Sequence, residues 1–291
     1  MILKDFKSDF TKQLSSIYPQ SEIDSFFFIL IQEILGFKRI DSVLKADFLI
    51  SSDVLNQLQN ITERLLKEEP IQYITGNTEF YGLPFLVNKN TLIPRPETEE
   101  LVEWIITEVS EAHGKNIANF SILDIGTGTG CIPISIKYNL PNTIVSAIDI
   151  SLEALKVAKK NAKLNTVEIN FIEQDILNTD DLNQVLDSKK IDIIVSNPPY
   201  VRNLEKVEIK NNVLQNEPHL ALFVEDNNPL IFYDKIANLA VKHLAKNGLL
   251  FFEINQYLGN ETVEMLNKKG FKNIELKKDF VGNNRMIKAS L

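Results

Sequence analysis

Asn197-Pro198-Pro199-Tyr200 is the stretch of this chain whose residue types are best suited to chemistry. It follows the apolar run 191–196, which reads as a buried parallel strand. Two prolines stop a strand, because neither donates to a ladder and each restricts the residue before it. Asn197 therefore falls at the carboxyl edge of a sheet, where open α/β sheets bind ligands. Its side-chain oxygen can accept a hydrogen bond from a substrate –NH2 group, and the Pro198 carbonyl can accept the second. Tyr200 offers an aromatic face to a flat group. The run Asn197, Pro198, Pro199, Tyr200 is thus a receptor for a planar amide or an aromatic amine.

A second site is expected at Asp124-Ile125-Gly126-Thr127-Gly128-Thr129-Gly130, where a strand ends and a helix begins. Glycines allow a tight turn and close approach of a ligand to the backbone, and the helix start presents N–H groups. A dinucleotide fingerprint reads G-x-G-x-x-G, and its last glycine would fall on Cys131. Here the spacing is G-x-G-x-G, with Asp124 two residues before it. A carboxylate at that place suits an ammonium group better than a pyrophosphate. Asp149, ending the next strand, can accept both hydroxyls of a ribose; its plainer reading is a helix-start acid beside Ser151. Asp175, or its backbone, is placed to meet an adenine edge, with Ile176 against the ring. An ammonium, a ribose and an adenine describe S-adenosylmethionine better than a nicotinamide dinucleotide.

The elements that hold these residues alternate from about residue 120. Strands are expected at 121–125, 143–148, 168–172, 191–195, 248–254, 273–276 and 284–289, with helices between several of them, including 152–161 and 228–244. Such alternation implies a mostly parallel sheet with helices on both faces. Residues 1–75 read as a helical domain. Ser21 is the expected cap of a helix ended by Gly36, and a second helix runs over about 52–67. Residues 76–97 read as a connector with a hairpin centred on Gly82-Leu83-Pro84. Arg95, between two prolines, is a candidate anion or partner contact at the entry to the domain 98–291. The stretch 201–225 reads as a polar, irregular loop beside the site.

The chain has 291 residues and a formal net charge of −8. That balance lowers the expectation of a nucleic-acid substrate, which usually demands a basic footprint. One cysteine forbids an internal disulfide, and the three histidines match no metal-ligand spacing, so no metal is expected. The longest apolar run, 26–31, is far short of the ~20 residues of a membrane span. A cytoplasmic protein, monomeric by default and without membrane contact, is the expectation.

Several motifs together resemble one family. They are Gln72-Tyr73-Ile74-Thr75-Gly76, Leu92-Ile93-Pro94-Arg95-Pro96-Glu97-Thr98-Glu99, the glycine turn with Asp149, and Asn197 to Tyr200. Glu217-Pro218 with Ala221-Leu222 and the tail Asp279-Phe280-Val281-Gly282-Asn283-Asn284-Arg285 complete the set. The chain resembles the bacterial protein-glutamine methyltransferases that modify peptide chain release factors, the PrmC/HemK family. The resemblance implies an α/β, Rossmann-like class I methyltransferase domain with a seven-stranded sheet whose last strand is antiparallel, preceded by a small helical domain and a hairpin. It implies S-adenosylmethionine as methyl donor, S-adenosylhomocysteine as product, and the glutamine of a Gly-Gly-Gln motif as acceptor. Gly126 to Gly130, Asp149 and Asn197 would contact the donor, the run to Tyr200 would hold the glutamine, and the helical domain would help seat the release factor. Ile176 stands where some relatives stack a tryptophan. The alternative is an adenine methyltransferase of DNA or RNA, since Asn-Pro-Pro-Tyr serves that chemistry too, with a flipped base against Tyr200.

Overall fold

The computed structural model describes residues 1–113, 120–184, 186 and 190–291. The chain divides into two compact units, Met1–Gly76 with Asn211–Asn216, and Asn77–Lys210 with Glu217–Leu291.

The first unit is helical: α1 (Leu3–Leu14), α2 (Gln20–Leu35), α3 (Asp41–Leu44), α4 (Ser52–Leu66) and α5 (Ile71–Thr75). Apolar side chains at helical spacing meet in its core, among them Phe6, Phe10, Leu14, Phe27, Leu30, Leu58 and Leu65. Ser21 is not the cap of α2. Pro19 holds that position in extended geometry without a side-chain cap, and Ser21 lies in the first turn. Gly36 does end α2, with φ at +64°, and Ser51 caps α4.

The second unit opens with a hairpin, β1 (Asn77–Phe80) and β2 (Leu83–Leu86). Its turn is Tyr81-Gly82 rather than the expected triplet. Both residues have positive φ, the geometry that matches the strand twist. Tyr81 is held there by its N–H, which donates to Glu99 at 2.8 Å. Next come α6 (Pro96–His113), β3 (Ser121–Ile125), α7 (Cys131–Asn139), β4 (Ile144–Asp149), α8 (Leu152–Leu164), β5 (Asn170–Glu173) and β6 (Ile191–Ser196). The stretch expected to be irregular contains the short parallel pair β7 (Val201–Arg202) and β8 (Phe223–Val224); α9 (Asn211–Asn216), between them in sequence, belongs to the first unit. The chain closes with α10 (Ile231–His243), β9 (Leu244–Glu253), α11 (Gly259–Lys268), β10 (Lys272–Lys278) and β11 (Asn284–Ser290).

The seven-stranded sheet has the order β10-β11-β9-β6-β3-β4-β5. β11 is antiparallel to both neighbours, and the ladders among β9, β6, β3, β4 and β5 are parallel. Successive strand residues face opposite layers. Ile122, Ile193 and Phe251 pack with α6 and α7, while Leu123, Ile194 and Phe252 pack with α10 and α11. The strands are therefore apolar on both faces, which is why they read as continuous runs.

Gly130 starts α7 with φ at +79°, and a Cβ there would lie 2.9 Å from Ile134 Cδ1 and 3.2 Å from Ala158 Cβ. Gly270 also has positive φ, +92°, but open space around it. Gly270→Ala should therefore cost about 1 kcal/mol of backbone strain, and Gly130→Ala about 2–4 kcal/mol with overpacking added. Urea unfolding measures both; equal losses would contradict this packing.

Candidate active site

The ends of parallel strands build the site. Ile125 of β3 pairs in register with Ser196 of β6, and Ser196 Oγ donates to the Ile125 carbonyl at 2.6 Å. The next residues, Gly126 and Asn197, leave the sheet side by side. The Asn197 carbonyl oxygen lies 4.0 Å from where a Cβ on Gly126 would sit. A cavity of about 370 Å³ opens at this edge. Its wall includes Gly126 to Thr129, Asp149, Asp175 with Ile176, Asn197 to Pro199, Arg95 just before α6 and Thr98 in its first turn. The two sites expected from the sequence are one.

The glycine turn is held from below. Gly126 and Thr127 donate their N–H groups to the Ile148 carbonyl of β4, at 2.8 and 3.0 Å. Gly126 and Gly128 take positive φ and face the cavity. Asp149 Oδ2 accepts the Gly128 N–H at 2.8 Å and Oδ1 accepts the Ser151 N–H at 2.8 Å. Each oxygen so oriented keeps a lone pair for a ligand hydroxyl. Burial pushes the Asp149 carboxyl up, and the backbone donors oppose that. Asp175 has one oxygen on the Leu177 N–H and the other on the Asn178 amide, so its carboxylate shapes its own turn beside the buried Ile176.

Three expected residues stand outside the cavity wall. Gly130 is a packing glycine, since its α-carbon abuts α7 and α8 side chains. Tyr200 turns into the protein: its ring packs against the core and its hydroxyl donates to Glu253 Oε1 at 3.0 Å. Asp124 is fully buried, one residue behind Ile125 of the wall, and neither of its oxygens has a hydrogen-bond partner among the described residues. Burial pushes its carboxyl up to about 7, with the nearby Thr127 hydroxyl opposing the rise and the Asp149 charge adding to it. An unpartnered buried carboxylate is costly unless a ligand brings it a cation. Arg95 lines the cavity, yet its guanidinium pairs with the buried Glu217 at 2.5 Å. Glu217 also accepts the Ile93 N–H at 3.2 Å. Arg95 thus pins the loop that carries Pro218.

Sequence reasoning missed three supports. Asn197 Nδ2 donates to Thr98 Oγ1 at 3.3 Å, and Thr98 Oγ1 donates to Glu253 Oε2 at 2.6 Å. Asn161 of α8 donates to the Leu86 and Thr129 carbonyls and accepts the Leu86 N–H, joining the hairpin to the glycine turn. Their visible signals were an acid in the apolar run 249–254 and an asparagine on the buried face of a helix. Cys131 also lines the cavity, but burial pushes its thiol up to about 12, so it is no nucleophile.

Residues 106–222 match the Methyltransferase small domain family, and residues 8–76 match the PrmC N-terminal domain. A 16S rRNA N2 G1207 methyltransferase of T. thermophilus, solved with AdoMet and guanosine, aligns over 74% of this chain and 49% of its own, with TM-score 0.50 and 18% identity. At that identity the likeness shows the fold alone. Fold and domain match together define a class I methyltransferase. The release factor glutamine methyltransferase of Flavobacterium psychrophilum is 57% identical over 100% of this chain and 99% of its own. That of Bacteroides thetaiotaomicron is 42% identical over 96% of each. The chain belongs to the release factor glutamine methyltransferase family. Among the described residues no helix is long and apolar enough to cross a membrane.

The raised Asp124 carboxyl makes a pH prediction. A buried acid whose pKa is raised from 3.8 to about 7 favours the folded state while protonated. Its contribution is complete below the ordinary carboxylate range and is lost as pH rises through about 7. Asp124→Asn should therefore be more stable than the wild type in the ligand-free state at pH 8, by on the order of 4 kcal/mol, and the gap should close toward pH 4. Urea unfolding across that range checks it; a gap that does not grow with pH would contradict the burial argument.

Proposed function

We propose that this protein transfers the methyl group of S-adenosylmethionine to the side-chain amide nitrogen of the glutamine in the Gly-Gly-Gln motif of peptide chain release factors. The observation that carries this reading is the adjacency of Asn197-Pro198 to the glycine turn in one cavity. Residues suited to the donor are present. Gly126 and Gly128 leave room at the backbone, Asp149 offers lone pairs to the ribose, and Ile176 offers an apolar surface to the adenine, while Asp124 lies buried one residue behind this wall. When bound, S-adenosylmethionine supplies a methyl group already activated by a sulfonium.

The protein's task is then placement. A carboxamide nitrogen is a poor nucleophile, because its lone pair is delocalised into the carbonyl. Asn197 Oδ1 and the Pro198 carbonyl accept one N–H each and aim the nitrogen into the cavity. Both acceptors strengthen as positive charge builds on nitrogen, so they bind the transition state better than the ground state. Orientation of this kind contributes up to ~7–11 kcal/mol in favourable systems. The nitrogen loses its proton late, so no strong general base is required. Tyr200 supports this site from within instead of stacking on the substrate. The helical first unit, which matches the PrmC N-terminal domain, is assigned the docking of the release factor.

Incubation with a purified release factor and labelled S-adenosylmethionine, followed by peptide mass spectrometry, should place the label on that glutamine. Label on an added oligonucleotide in its stead would contradict the reading. Asn197→Ala should lower kcat on the order of 100-fold with donor affinity changed little. Asp149→Ala should weaken donor binding by roughly 10- to 100-fold through lost hydrogen bonds, measured by calorimetry. Reversed effects of the two variants would contradict the assigned roles.

A further inference from the structure

We propose that Thr98 and Glu253 are positioning residues that decide which end of the Asn197 amide faces the cavity. The proposal rests on the methyl-transfer reading above and concerns Thr98, at the edge of the cavity wall, and Glu253 behind it.

An asparagine side chain has an accepting end and a donating end of nearly equal shape. Only the accepting end can hold a substrate N–H; the donating end would repel it. Something must select between them, and the buried chain behind Asn197 does so by hydrogen-bond direction. Glu253 is 1% exposed, at the end of β9. It receives two hydroxyls, Tyr200 on Oε1 at 3.0 Å and Thr98 on Oε2 at 2.6 Å. Each carboxyl oxygen accepts one hydroxyl, so both hydroxyl protons point at Glu253. The 2.6 Å separation is that of a charge-assisted O–H to O⁻ bond. Burial holds the Glu253 carboxyl above its ordinary value; the Thr98 hydroxyl, the Arg285 charge and the Tyr200 hydroxyl limit that rise, and the Glu97 charge adds to it. Burial also keeps the Tyr200 phenol protonated and donating.

Thr98 has one hydroxyl proton, and Glu253 takes it. Toward Asn197, Thr98 Oγ1 therefore presents lone pairs. The Asn197 Nδ2 group turns to it at 3.3 Å, and Oδ1 is left for the cavity side. The order Glu253, Thr98, Asn197 is a one-way chain: a carboxyl oxygen that accepts at its root sets the polarity of the group at its tip. It also explains why Thr98 sits at the start of α6 rather than on the sheet. The family motif Pro94 to Glu99 brings α6 to the end of β6, where a hydroxyl can stand between β9 and Asn197.

The test compares Thr98→Val, which keeps the shape and removes the acceptor, with Thr98→Ser, which keeps the hydroxyl. Thr98→Val should lower kcat for glutamine methylation by about 10- to 100-fold, with S-adenosylhomocysteine affinity near wild type and a lowered unfolding midpoint, because the buried Glu253 loses a donor. Thr98→Ser should return kcat to near the wild-type value. A shared loss in both variants, or a loss confined to cofactor affinity, would overturn the role. A second measurement needs no variant: in the wild-type protein the Asn197 side-chain NH2 should show a nuclear Overhauser contact to the Thr98 methyl group. Absence of that contact means the amide is turned the other way and the proposal fails. Should Thr98→Val match a wild type that does methylate glutamine, the positioning role falls and the function stands. A wild type that leaves glutamine unmodified removes the function and this role together.

Discussion

The hydrogen bond from Ser196 Oγ to the Ile125 carbonyl, buried between two parallel strands, is the contact on which the site's geometry depends. It holds β6 flush with β3 at their carboxyl ends, so that Gly126 and Asn197 start from one level. A slip of β6 by one residue would turn every side chain on it to the opposite layer. It would also carry Asn197 about 3.3 Å along the strand, in a reaction where a 1 Å misplacement is already costly. Both faces of β6 are packed, Ile193 and Val195 on one side and Ile194 on the other, so burial guards that register. The hydrophobic core and the chemistry are linked through this single alignment.

Three buried acids surround the site, and the way each is satisfied separates scaffold from ligand pocket. Glu217 is answered by the Arg95 guanidinium and the Ile93 N–H. Glu253 is answered by two hydroxyls, with Arg285 of the tail motif near enough to favour its charge. Asp124 has neither a cation nor a formed hydrogen bond among the described residues, with only the Thr127 hydroxyl nearby. A fold tolerates an acid of that kind where a cationic ligand completes it. The family motifs divide the work: Asp279 to Arg285 brace the site from behind, Arg95 and Thr98 line the cavity while pairing with buried acids, and the glycine turn with Asn197-Pro198 faces the cavity.

Much of this was legible in the sequence because local chemistry dictates it. The β-strand runs 121–125 and 191–196, both apolar on each face, announce themselves as buried and parallel. The prolines after Asn197 mark a strand end, and the glycines before α7 mark a turn. What escaped was long-range pairing. Tyr200 looked like a substrate platform because an aromatic after two prolines has no local partner; its partner, Glu253, is 53 residues away. Arg95 looked available for the same reason, with Glu217 at a separation of 122. Gly130 looked like part of the ligand cradle, since sequence spacing does not reveal that Ile134 and Ala158 crowd its α-carbon. The hairpin turn moved by a residue because cross-strand register, fixed by Glu99 on α6, outweighed the preference for Pro84 in a loop.

The central claim is that two fixed oxygens hold both hydrogens of an uncharged carboxamide. Nuclear magnetic resonance of a release factor whose Gly-Gly-Gln glutamine carries ¹⁵N in its side chain, bound to this protein with S-adenosylhomocysteine, reads those hydrogens directly. The account predicts that both side-chain amide protons shift downfield on binding and exchange slowly with water. A shift of one proton alone, or of neither, in a complex competent for methylation would contradict it.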